Sequence, residues 1–350
     1  MISNAAIGGF VLFILLLVVV AAIIIIIVHG EKTNLNLAPD NGGFTGTTGQ
    51  TAGLRIVNNC SMDAWLQVSG SDATTPVPGL TGTRIFTPQG TIIDYNPPSG
   101  GFSSFRTWFK YGCDSSGMNC EVGDSVPYFP ETDVVPPGGF QIPANSLFEA
   151  TFGCSGCSGS QGQTFFDTSN VDGFTYPYML IVKPVIGTSG LASCDSGIQG
   201  ASGIINGGTL DTSNRQFVVN NLTNNGANPT AFSNTMGTTV ELTAVDLAFT
   251  GSTGQILGWY SPCQQLAGVY AVPATVSDPY CCNGLYNTAP TCNAGPVNNT
   301  NYVTYVENQT DNLVYASAFS DAQGNHNCSV GSVMYEFVAC PPGSASYFGS

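Results

Sequence analysis

Positive charge is scarce in this 350-residue chain. Three lysines and four arginines stand against 22 acids, for a formal charge of −15. A nucleic-acid partner needs a basic footprint, so none is expected. Histidine is scarcer still, with only His29 and His326. A histidine metal site or a Ser-His-Asp triad has almost no raw material here, and no metal or other cofactor is expected. His326 sits in the polar run GNHNC and reads as an exposed loop residue. Charged residues of both signs make up 8% of the chain, while glycine (43) and proline (21) are abundant. That balance favours short strands joined by many turns over long helices.

What is present begins with an apolar run. Residues 5–28 are uncharged and mostly apolar, about 36 Å as a helix and enough to cross a bilayer. A cleaved signal peptide is the alternative. Against it, no Lys or Arg forms a basic start, the run is long, and His-Gly-Glu-Lys follows in place of a small-residue cleavage site. The expectation is an uncleaved single-pass anchor contacting the lipid bilayer. Twelve cysteines all follow it, as do five Asn-x-Ser/Thr sequons at Asn59, Asn221, Asn298, Asn308 and Asn327. Both features place the C-terminal side in an oxidising, exoplasmic compartment and the N-terminus in the cytoplasm. Residues 33–53 are rich in Gly, Thr and Asn without periodicity, and read as a stalk of roughly 25 Å if flexible. The domain reading is therefore 1–32 tail and anchor, 33–53 stalk and 54–350 ectodomain.

Chemistry concentrates in residues 164–179, TFFDTSNVDGFTYPYM. Phe165 and Phe166 run into Asp167, and Asp172-Gly173 follows as a tight-turn signal. Two acids are thereby held near a turn against aromatics. The segment resembles the central signature of the thaumatin-like family, whose usual form is Asp-Phe-aromatic-Asp-x-Ser-x-Val-Asp-Gly-aromatic-Asn-x-Pro-Met. Residues 54–60 resemble that family's opening strand and Asn-Asn-Cys. FRTWFKYGC (105–113) is similar to its Ala-Arg-x-Trp-Gly-Arg-Thr-x-Cys, with Lys110 where the cleft arginine would stand. Lysine keeps the charge but loses the bidentate fork. Strand-like runs at 65–68, 84–87 and 91–95 are separated by Gly/Pro turns. Residues 146–152 alternate, so Phe148, Ala150 and Phe152 share one face and Glu149 points to the other. Residues 180–182 read as a buried strand and 334–340 as the closing one. Residues 187–262 lack a family match and read as a divergent, still β-rich insertion with runs at 216–222 and 239–249.

The fold class expected is all-β: a thaumatin-like β-sandwich with disulfide-stapled loop regions, preceded by one transmembrane helix. The resemblance also implies pairing among the cysteines, which spacing alone cannot supply. It joins Cys60 to Cys340, Cys113 to Cys120, Cys194 to Cys328, Cys263 to Cys281 and Cys282 to Cys292. Cys154 and Cys157, in CSGC, are left as a local pair, and Ser125 stands where the family has a cysteine whose mate is also absent.

Family members carry an acidic cleft associated with β-1,3-glucan binding and, in some, slow endo-glucanase activity. The resemblance carries that cleft onto Glu149, Asp167 and Asp172 as candidate catalytic carboxyls, with Lys110 and Asp321 as ligand-binding residues. Glycoside hydrolysis needs two carboxyls across the scissile bond, one protonated. Thr164 replaces the signature's leading aspartate. Tyr176, Tyr178 and Tyr260 are candidates for stacking on sugar rings if exposed. Three readings follow: an anchored surface protein binding a glycan or protein partner through the cleft without efficient catalysis, an anchored endo-β-1,3-glucanase, or a structural component packed against neighbours in a membrane-bearing shell such as a large DNA virus capsid.

Overall fold

Alternation of apolar and polar side chains sets the two main sheets of the computed structural model. It describes residues 53–70, 77–124, 145–153, 162–208, 215–223, 231–233, 239–241, 244–251, 254–342 and 344. The expected anchor at 5–28, nearly all of the expected stalk, Ser125, Cys154 and Cys157 lie outside the described residues. Among those residues, no helix is long and apolar enough to cross a membrane.

The strands run β1 Leu54–Asn58, β2 Ala64–Ser69, β3 Arg84–Thr87, β4 Ile92–Tyr95, β5 Phe102–Tyr111, β6 Leu147–Phe152, β7 Gln163–Ser169, β8 Gly173–Phe174 and β9 Tyr178–Pro184. They continue as β10 Ile204–Asn206, β11 Val218–Asn220, β12 Ala231–Ser233, β13 Thr239–Glu241 and β14 Ala244–Asp246. Last come β15 Ala248–Thr250, β16 Ile256–Tyr260, β17 His326–Ser329 and β18 Val333–Ala339. One sheet has the order β17-β7-β6-β5-β2-β3 and the other β10-β9-β18-β1-β4. Residues 187–262 thus contribute β10 to a main sheet and short strands of their own.

Between the two sheets lies an aromatic core. Phe148 and Phe166 of one sheet meet Phe337 and Tyr335 of the other, with ring centroids 5.9 and 4.7 Å apart. Tyr95 stacks on Phe105 at 5.0 Å. Each such fully buried ring contributes roughly 1.5–3 kcal/mol by leaving water. Because successive side chains on a strand point to opposite faces, filling this core sends the intervening residues outward.

The first and last strands close on each other. β1 and β18 pair in parallel, Asn58 opposite Ala339, and Cys60 is bonded to Cys340. Cys113–Cys120, Cys194–Cys328, Cys263–Cys281 and Cys282–Cys292 are bonded as well.

The molecule is mostly, not wholly, β. Residues 264–309 form a run of short helical turns and helices, of which Asn301–Gln309 is the longest at nine residues. Helices this short are marginal alone. Here two disulfides hold them, and Leu266, Val276, Tyr302 and Val303 join the same buried cluster as the sheets. His326 also differs from expectation. It is buried in β17, with Nε2 3.0 Å from the Leu313 carbonyl and Nδ1 3.4 Å from Asp195. Its polar neighbours suggested a loop, but the segment is a strand paired to β7.

Candidate functional site

Register builds the site. Arg106 on β5 lies opposite Glu149 on β6, and Glu149 lies opposite Asp167 on β7. The next row, Phe105, Ala150, Phe166 and His326, is buried toward the core. One charged row is therefore laid across three strands on the outer face of the six-stranded sheet. Arg106 Nε sits 2.5 Å from Glu149 Oε1, with the Arg106 side chain 55% exposed and that of Glu149 22%.

Asp172 follows β7 in the Asn170–Gly173 turn, where Gly173 N donates to the Asn170 carbonyl. Its carboxylate does more than shape the turn. Asp172 Oδ1 accepts from Gln264 Nε2 at 2.6 Å, tying the sheet to the helical region. Facing the charged row is the loop after Asn301–Gln309. Tyr315 is fixed to the end of β7 by backbone bonds in both directions, to the Thr168 carbonyl and from the Asn170 amide. The Tyr315 hydroxyl donates to Asp321 Oδ1 at 2.7 Å. Its ring rests on Gly324, where a Cβ would collide with it.

Between these walls runs a groove with two lobes. The larger, about 420 Å³, is lined by Arg106, Glu149, Asp167, Asp172, Tyr315 and Phe319 among others. A smaller lobe of about 270 Å³ shares Arg106, Glu149, Asp167 and Tyr315 and continues to Thr151, Phe165 and Asn325. Glu149, Asp167 and Asp172 thus converge on one space, with Asp321 bonded to its wall.

Electrostatics there is dominated by desolvation. Burial raises Glu149, against the opposing pull of Arg106 and with a further push from Asp172. Asp167 is driven well above the ordinary aspartate range by burial first and by the charge of Glu149 second. Burial also raises Asp172, partly offset by the Gln264 hydrogen bond. Crowding carboxyls in a half-dry groove pushes their pKa values up, since each charge disfavours the next.

Four expected site residues are elsewhere. Lys110 does not line the groove: it is 0% exposed, 3.3 Å from Gln67 Oε1 and 3.8 Å from Asp124 Oδ1. Positions 106 and 110 share a face of β5, but the loop 112–124 folds over the 110 end. There Tyr111 and Val122 exchange backbone bonds, and Trp108 Nε1 donates to the Gly123 carbonyl. The groove cation is Arg106. Tyr176 is also fully buried, its hydroxyl donating to the Ser146 carbonyl at 2.8 Å and accepting from Phe109 N at 3.0 Å. Tyr178 is buried too, and Tyr260 packs on Phe249. The aromatics that do line the larger lobe are Tyr315 and Phe319, in a loop without periodicity to single them out. Thr164 faces the core, and its hydroxyl accepts from Gly153 N, so this departure from the signature does not touch the groove.

The sequence profile of the thaumatin family matches residues 58–341. The chain belongs to the thaumatin family. This thaumatin-family chain is 25% identical over 264 residues to thaumatin-like protein 1 of Pyrus pyrifolia, covering 75% of this chain and 80% of that protein. It is 25% identical over 293 residues to a protein of Prunus avium named glucan endo-1,3-beta-glucosidase, covering 83% and 91%. Among solved structures, it overlaps a laminaripentaose-producing β-1,3-glucanase of glycoside hydrolase family 64 from Paenibacillus barengoltzii. That match has a TM-score of 0.40 and 13% identity, over 83% of this chain and 75% of that one.

Proposed function

We propose that the groove binds a β-1,3-glucan-like polysaccharide without efficient hydrolysis. The observation carrying this reading is the cross-strand row Arg106–Glu149–Asp167 lining one groove together with Asp172. Such a row offers closely spaced donors and acceptors to sugar hydroxyls, on strands that hold their positions without a ligand. The relative named as a glucan endo-1,3-beta-glucosidase supports the choice of glycan.

Hydrolysis is the second reading, favoured by one feature. Asp167 lies opposite Glu149, and burial raises both carboxyls, the direction a general acid needs. Three features weigh against efficiency. Glu149 is already paired with Arg106. Glu149 and Asp167 approach from one sheet face rather than flanking a bond. Asp172, on the turn beyond β7, is engaged by Gln264. Binding is therefore preferred.

The protein acts, in this reading, as a membrane-tethered surface protein anchored through 5–28 with its disulfide-bonded domain exoplasmic. Five disulfides among the described residues support an oxidising compartment. The test is laminarin binding and reducing-sugar release by the full-length chain and its Glu149→Gln variant. Retained laminarin, weakened by the substitution, with sugar release near background is expected. Absence of binding, or rapid release abolished by Glu149→Gln, would overturn the proposal.

A further inference from the structure

The backbone of Phe319 is in a conformation that its side chain disfavours. Its φ is +63°, in the left-handed region where a Cβ crowds the backbone and a bulky residue is rare. Glycine takes that conformation without the clash. Phe319 is nevertheless there, half-buried, lining the larger lobe with Tyr315.

The residues on both sides of it are held in place. On one side Tyr315 is bonded through its backbone to β7. Ala316 and Ser317 are buried, and Ser317 Oγ donates to Asn298 Oδ1 at 3.0 Å. On the other side Ser320 is buried, its hydroxyl 3.1 Å from that of Ser317, and its carbonyl accepts from Gln323 N and Gly324 N. The Cys282–Cys292 bridge lies against the Ala318 carbonyl, with Cys292 Sγ 3.4 Å away. A short loop anchored on both flanks can hold one strained residue, and strain kept in place at a cleft points to a role for the side chain it presents.

We propose that Phe319, with Tyr315, is the apolar platform of the groove, and that its left-handed backbone is the conformation needed to bring the ring against a bound pyranose. This inference rests on the glycan-binding reading and names the ligand surface. A β-linked glucose unit has hydroxyls around its rim and C–H groups on its two faces. The rim matches Arg106, Glu149 and Asp167, and a face matches an aromatic ring. The two walls of the larger lobe thus read different parts of one sugar. A ligand without an apolar face, such as a small polyanion, would use neither ring and would be repelled by the carboxylates.

The test uses the full-length chain, laminarihexaose as probe, and the variants Phe319→Gly and Phe319→Ala. Loss of the ring in either variant should weaken binding about 2- to 13-fold. Phe319→Gly should melt at a higher temperature than Phe319→Ala, because only glycine relieves the backbone. Unchanged affinity in a folded Phe319→Gly, beside a binding wild type, would overturn the platform and leave the glycan reading standing. A melting temperature for Phe319→Gly no higher than that of Phe319→Ala would overturn the claim of strain. A wild type that fails to bind laminarihexaose would overturn the glycan reading and the platform together.

Discussion

Replacing Lys110 with methionine should leave the groove intact and remove a pH dependence from the fold. Lys110 is fully buried on β5, and desolvation lowers its pKa from 10.5 to about 8, with Asp124 partly opposing the fall. Each pH unit of displacement corresponds to about 1.4 kcal/mol, so holding the charge inside costs about 3 kcal/mol. Below pH 8 both folded and unfolded chains carry the proton and the cost is constant. Between pH 8 and 10.5 the unfolded chain still binds a proton that the folded one has released, so stability rises with pH. From pH 7 to 9.5 the gain from this group is about 2 kcal/mol. Above pH 10 an opposite effect enters, because buried tyrosines such as Tyr95, raised to about 12, ionise first in the unfolded chain. The scan should therefore stop at 9.5.

Urea unfolding of the wild type and Lys110→Met at pH 7, 8, 9 and 9.5 measures this directly. Methionine fills the lysine stem's volume, and Asp124, 18% exposed, keeps the Cys120 amide as a partner beside water. The variant should match or exceed wild-type stability at pH 7, with a flatter pH profile. Laminarin affinity should not change. A flat wild-type profile, or a rise that survives in Lys110→Met, would refute the desolvation argument. Lost glucan binding would return Lys110 to the site.

Two further outcomes are expected. Removing 134 from the 280-residue separation of Cys60 and Cys340, for the span short-circuited by Cys194–Cys328, leaves a path of 146; the chain-entropy relation then gives about 5 kcal/mol for this bridge against about 2.5 kcal/mol for Cys113–Cys120. Paired Cys→Ala variants compared by denaturant midpoint check that order, and equal losses would contradict it. Asp167→Asn should stabilise the fold at pH 7, since a carboxyl raised in the fold loses stability as pH rises through the unfolded value near 3.8. The gain should vanish near pH 3 while glucan binding weakens at neutral pH, and a destabilised variant at pH 7 would show that the charge is better solvated than its burial implies.

Much of the framework was legible because period-2 alternation is a local signal. Phe148, Ala150 and Phe152 had to share a face, so Glu149 had to leave it. The family signature then set Asp167 and Asp172 beside it. Alternation could not choose between Arg106 and Lys110, which share a face four residues apart. Only the loop 112–124, crossing β5 at Trp108 and Tyr111, decides which is wet. Tyr176 misled for a related reason: an aromatic next to a signature acid satisfies a buried hydroxyl as well as it stacks on a sugar, and here Ser146 and Phe109 claim it. The helices of 264–309 are too short for periodicity to emerge and exist through disulfides and tertiary packing.

The groove is consequently a joint product of two regions that encode it differently. The sheet supplies carboxylates by strict register, and that wall follows from the core: every inward Phe105, Phe148 or Phe166 fixes the outward direction of its neighbours. The facing wall has no such rule. Tyr315, Phe319 and Asp321 are placed by a loop that gains its shape from β7, from the Ser317–Ser320 hydroxyls and from the Cys282–Cys292 bridge. Loosening that loop would leave all three sheet-side residues in place yet remove the surface opposite them. A sheet bearing Arg106, Glu149 and Asp167 is an acidic patch open to water, where each hydrogen bond to a sugar merely replaces one to solvent. Enclosure by the second wall is what makes those contacts worth more than hydration, so recognition should fail with the loop even when every acid is present.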